Sequence, residues 1–106
     1  DALMGPWKSD GLNLRVTPDS TAVWASCSYG RIPGRLTVDE SGSLRAVFDF
    51  TFLPGAAGSQ PVTTRLLMEG RLAGDQLSVA LDAMTASLPV THVLTRGEGV
   101  PYAPCP

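Results

Sequence analysis

The sequence predicts an all-β chain folded as a small antiparallel up-and-down (meander) β-barrel of about seven to eight strands. Three stretches carry that expectation. In SLRAVFDFTF (43–52), Leu44, Ala46, Phe48, Phe50 and Phe52 share one face, while Arg45, Asp49 and Thr51 share the other, with Val47 as the exception. In VTTRLLMEGRL (62–72), Val62, Thr64, Leu66, Met68, Gly70 and Leu72 oppose Thr63, Arg65, Glu69 and Arg71. In DQLSVAL (75–81), Leu77, Val79 and Leu81 oppose Gln76 and Ser78. This is the period of two that belongs to strands with one buried face. A long meander either closes on itself or leaves two sticky edges, and closure is the expected solution.

The other segments follow in chain order. Leu12, Leu14 and Val16 alternate in the first predicted strand, which begins just after Gly5-Pro6-Trp7. Pro18-Asp19-Ser20 is a turn. TAVWASCS (21–28) follows, with Val23, Ala25 and Cys27 on one face and Trp24 on the other, outer one. SYGRIPG (28–34) reads as a turn region, because glycine and proline punctuate strands. Arg35–Asp39 reads as a strand with Leu36 and Val38 inward, bent or at an edge because of Pro33. The turn 39–42 leads into the Ser43 strand, and 73–75 joins the next two. The uncharged loop 53–61 and the segment 83–89 are the longer connections, and VTHVLTR (90–96) is the last strand. The proline-rich end, GEGVPYAPCP, is expected to run over the surface. No apolar period of 3.6 residues persists, so no long helix is expected.

With 106 residues, the chain has the size of one domain, and residues 1–106 are expected to form a single barrel. A net charge of −2 gives no footprint for nucleic acid. No run approaches the roughly 20 apolar residues of a transmembrane helix. The only two cysteines, Cys27 and Cys105, are expected to form a disulfide. Closing a loop of that length is worth about 4–5 kcal/mol on the chain-entropy account. The pair also sets the expected location, secreted or periplasmic, because disulfides persist in oxidising compartments. The chain opens on DALMGPW without a basic-apolar leader, so any export signal or anchoring segment is expected to have preceded it.

Chemistry-bearing constellations are sparse. His92 is the only histidine, no serine sits in a G-x-S-x-G turn, and no metal-ligand spacing occurs. Asp49 and Asp82 alternate onto outer faces, where carboxylates are ordinarily solvated. No enzyme, cofactor or metal is expected. Trp24, Tyr29 and Tyr102 could form an aromatic contact patch.

Gly5-Pro6-Trp7 ahead of a meander resembles the G-x-W signature of the lipocalin-like, or calycin, barrels. That resemblance implies a tryptophan plugging one end of the barrel. The chain is also similar to uncharacterised exported bacterial proteins with a Cys…G-x-I…T-R-G…Cys pattern, here Cys27, Gly30-Arg31-Ile32, Thr95-Arg96-Gly97 and Cys105. Two functions follow as expectations. One is an exported, non-catalytic binding module for a protein partner. The other is a carrier of a small apolar ligand inside the barrel. Longer loops on a rigid scaffold are the usual place for contacts. The expected partner-binding residues are Tyr29, Leu53, Pro54 and Leu88, at the Trp7 end.

Overall fold

A computed structural model describes residues 3–53, 60–83 and 90–99. Eight strands follow one another: β1 (Gly5–Lys8), β2 (Asn13–Val16), β3 (Ser20–Ala25), β4 (Ser28–Pro33), β5 (Ser43–Phe52), β6 (Val62–Ala73), β7 (Gln76–Asp82) and β8 (Val90–Arg96). Each pairs antiparallel with the next, and β1 pairs with β8 through Trp7↔Arg96 and Lys8↔Thr95, which closes the barrel. The described residues contain no helix, and the protein is an all-β up-and-down barrel.

The alternation read in the sequence has its physical cause in the barrel wall. Leu14, Val16, Val23, Leu44, Phe48, Phe50, Leu66, Met68, Leu77, Val79 and Leu94 are buried in one cluster inside. Arg15, Arg45, Asp49, Arg65, Glu69 and Arg71 are exposed outside. The interior is filled by the chain's own side chains, with Phe48 and Phe50 edge to face at 6.0 Å between ring centroids.

Three assignments differ from the sequence expectation. Gly5-Pro6-Trp7 does not precede the first strand but lies in it. Residues 28–34, expected as a turn, are almost wholly strand β4, with the actual turn at Ser26-Cys27. Gly30 is required there: a Cβ on it would lie 2.7 Å from the Asp49 carbonyl oxygen and 2.8 Å from a Phe50 ring carbon. Pro33 ends β4, where its missing N–H interrupts no later ladder bond. Residues 35–39, expected as a strand, make no ladder. Leu36 and Val38 nonetheless turn inward: Leu36 is buried and Val38 packs on the core. Side chains there follow the core, while the backbone does not join the sheet.

The extra strand at the start reverses the ends. At one end lie Leu3 and Met4, the connections 17–19 and 34–42, and the turn at Gly74. At the other lie the turns 9–12 and 26–27 and the two connections that leave the sheet after Phe52 and Asp82. Trp7 closes the first end, where its indole Nε1 donates to the Leu3 carbonyl at 3.0 Å. The connections after Phe52 and Asp82 therefore leave the sheet opposite Trp7, not beside it, while the connection 34–42 lies on the Trp7 side.

Candidate interaction surface

Tyr29 stands on the outer face of β4, paired with Trp24 on β3 and Thr51 on β5. Its neighbour Phe52 has inward alternation but is 44% exposed, because it sits in the barrel mouth beyond the last core layer. The expectation that Phe52 is buried is corrected. Its ring lies edge-on to Phe50 at 5.2 Å and its backbone pairs with Val62. Leu53 is half-buried, and its N–H donates to the Cys27 carbonyl at 2.8 Å, tying the end of β5 to the β3–β4 turn. Tyr29 and Leu53 thus come together around the β4–β5 rim. Pro54 and Leu88 lie outside the described residues.

The rim has more apolar surface than the sequence reading anticipated. Of the six exposed large hydrophobics among the described residues, Tyr29, Phe52, Val62 and Val90 belong to the loop end, whereas Val47 and Val93 lie on the outer wall. On its β7 side, β6 is paired only from Leu67 onward among the described residues, so Val62–Leu66 project with β5 beyond the end of β7. The signal was present in the sequence: an inward-phase apolar residue next to a long connection sits at the mouth, where no further layer covers it.

Two shallow hollows lie on the outer wall around Trp24. One, of about 540 Å³, runs over Ala22, Trp24, Tyr29, Arg31, Asp49 and Thr51. The other, of about 780 Å³, lies between Lys8, Asn13, Trp24, Ser26 and Gly99. Trp24 itself is half-buried, on the outer face as expected. Tyr102, the third expected aromatic, lies outside the described residues.

The groups with chemical potential are dispersed. Asp49 and Asp82 are on β5 and β7 with β6 between them. Asp49 faces Arg65 at 3.3 Å in an exposed ion pair. His92 pairs with Val79 across β8–β7 and lies against Gly11. Burial pushes its pKa below the usual histidine value. Among the described residues, no group of three or more His, Cys, Asp or Glu is placed to hold a metal ion. No helix among them is long and apolar enough to cross a membrane. Cys27 occupies the β3–β4 turn in the left-handed region, with φ of 60°, and its Sγ is 3.7 Å from Ser26 Oγ. Its expected partner, Cys105, lies outside the described residues.

The chain matches no known protein family, no curated protein and no solved structure.

Proposed function

We propose that this chain is an exported, non-catalytic interaction module of lipocalin-like architecture that binds a protein partner through the rim opposite Trp7. The observation that carries this reading is the exposure of the cross-strand partners Phe52 and Val62 at the barrel mouth, with Tyr29 exposed on the neighbouring β4. Clustered exposed apolar side chains rimmed by polar ones are the usual mark of a protein contact. The rim rests on a closed barrel, so little order has to be created on binding. The packing of Phe48, Phe50, Leu66, Met68 and Leu94 in the interior favours this reading over a carrier of a small apolar ligand. Export rests on the Cys27–Cys105 bond, which belongs to the same proposal.

A photo-crosslinking residue at Phe52 or Val62, introduced in the chain expressed in its own host, tests the reading. One discrete crosslinked protein from both positions, absent when the residue is placed at Arg45 on the far part of the wall, is the expected result. Crosslinks from Arg45 alone would place the contact on the outer wall and overturn it. Native mass spectrometry of the same material reads the carrier alternative directly, as a retained small-molecule mass.

A further inference from the structure

The turn between β1 and β2 is tied together internally by hydrogen bonds. Ser9 N–H donates to the Leu12 carbonyl at 2.9 Å, and the Ser9 hydroxyl oxygen accepts from Leu12 N–H at 3.0 Å and from Gly11 N–H at 3.3 Å. Its hold on β8 is of another kind. β1 pairs with β8 only at Trp7↔Arg96 and Lys8↔Thr95, so among the described residues 90–94 of β8 have no ladder partner on the side of the turn. His92 stands in that interval. It pairs with the buried Val79 and so shares the inner face of the wall. One edge of its ring lies on the turn: a Cβ on Gly11 would come 3.1 Å from His92 Cε1 and 3.4 Å from Nδ1. Leu12, the next residue of the turn, is only 1% exposed. The ring is half-buried and, among the described residues, makes no hydrogen bond or ion pair. The charged groups of the elements around it face elsewhere. Glu69 and Arg71 of β6 are exposed on the outer face, and Asp82 of β7 has the outward register. Lys8 and Asp10 line a hollow outside the wall with Val93 and Thr95, and Arg96 of β8 lies over Trp7.

We propose that His92 is the latch of a pH-sensitive gate at the barrel mouth: a proton taken up by its ring releases the turn 9–12 from β8 and uncovers Leu12. The neutral ring packs on Gly11 at no electrostatic cost. The imidazolium carries an N–H on both ring nitrogens, and the ring edge at Gly11 faces a Cα, which accepts nothing. With no carboxylate on the inner face to compensate it, the charged ring is stabilised by meeting water, away from that contact. The direction of its titration agrees. Burial lowers the His92 pKa in the closed form, so the opened form binds the proton more readily. The opened population is smallest above the ordinary histidine range and grows as pH falls toward the closed-form pKa. Its growth is bounded at about tenfold for each pH unit separating the two pKa values. The turn moves as one body, because its hydrogen bonds are internal, and the ladder that anchors it begins at Lys8↔Asn13. Leu12 then adds apolar surface to a mouth where Phe52 and Val62 are already exposed. The gate stands whether or not the rim takes a protein partner.

Amide hydrogen exchange of the full chain, followed by NMR at about pH 7.5 and about pH 5 and corrected for the intrinsic rate, tests it. The Ser9 and Leu12 amides report the turn, and the Met68 amide in β6 reports opening of the whole barrel. At the higher pH, protection at Ser9 and Leu12 is expected to lie below that of Met68, because the turn opens locally. On acidification it is expected to fall severalfold further, and in His92→Gln that fall is expected to vanish. Where His92→Gln does not fold, His92→Asn serves as the uncharged ring replacement. Turn protection that does not change with acid overturns the proposal. So does an equal fall in the uncharged variant, and so does turn protection equal to that of Met68 at both pH values, which would mean that the turn opens only when the barrel does.

Discussion

The guanidinium of Arg96 lies over the ring of Trp7, 4.3 Å from its centroid. The same side chain donates to the Met4 carbonyl at 2.7 Å. One residue from the last strand thus holds a residue of the first strand and the segment before it, at the seam where β8 meets β1. Trp7→Ala is expected to cost about 3–5 kcal/mol, as for other large buried aromatics. Arg96→Gln is expected to cost about 1–2 kcal/mol through the lost cation–π contact and carbonyl bond. The contact to Asp75 at 3.8 Å adds little, because that carboxylate is solvated. Urea midpoints of the two variants check the ranking, and an Arg96→Gln cost equal to that of Trp7→Ala would show that the arginine does more than cap the seam.

Phe50 and Phe52 are two residues apart with the same alternation, yet one is core and the other rim. Phe50→Ala is expected to cost about 3–5 kcal/mol and Phe52→Ala less than about 1 kcal/mol. Equilibrium unfolding of the pair decides it. A large loss at Phe52 would mean that the connection after it folds over the mouth and completes a further core layer.

At Gly30 the wall of β4 touches the rings of Phe48 and Phe50 directly. Gly30→Ala is therefore expected to destabilise by about 1–3 kcal/mol, although alanine ordinarily loses less entropy on folding than glycine. A midpoint at or above wild type would show that β4 can move outward freely.

Thr21 is fully buried and its hydroxyl has no hydrogen-bond partner among the described residues. Thr21→Val keeps the shape and removes the unsatisfied group, so a gain of about 1 kcal/mol is expected. Loss of stability in the same denaturation assay would indicate an ordered water on that hydroxyl.

The strands from Ser43 onward were legible because β5, β6 and β7 carry a nearly regular alternation, Val47 excepted, and pair over many residues. The first half of the barrel was less so, and for specific reasons. Strand β1 has four residues, including Gly5 at φ 102° and Pro6, and is a strand only through its partners β2 and β8. In β4, Gly30 looks like a turn signal but answers to two phenylalanine rings on the neighbouring strand β5, contacts no local pattern contains. Missing β1 shifted the count of strand ends by one, and so placed the connections after Phe52 and Asp82 at the wrong end. Tyr29 and Leu53 nonetheless lie on paired strands at one end, because the β4–β5 pairing does not depend on that count.

Acid is expected to weaken the fold in two separable windows. Burial holds the His92 pKa below the ordinary histidine value of 6.5. The unfolded chain therefore binds that proton more readily, and stability present above about pH 6.5 is lost as pH falls toward the folded pKa. Asp39 acts lower. Its carboxylate accepts from the Ser41 hydroxyl and from the Ser43 and Ser41 N–H groups, which holds its pKa below 3.8. The stability linked to Asp39 is present above the unfolded pKa and is lost as pH falls through the folded one. Thermal midpoints across pH 3 to 8 should therefore decline first through the histidine range and again near the carboxylate range. His92→Gln is expected to flatten the upper decline alone, and Ser41→Ala to change the lower one alone. An unchanged upper slope in His92→Gln would assign that decline to another group and remove the His92 account.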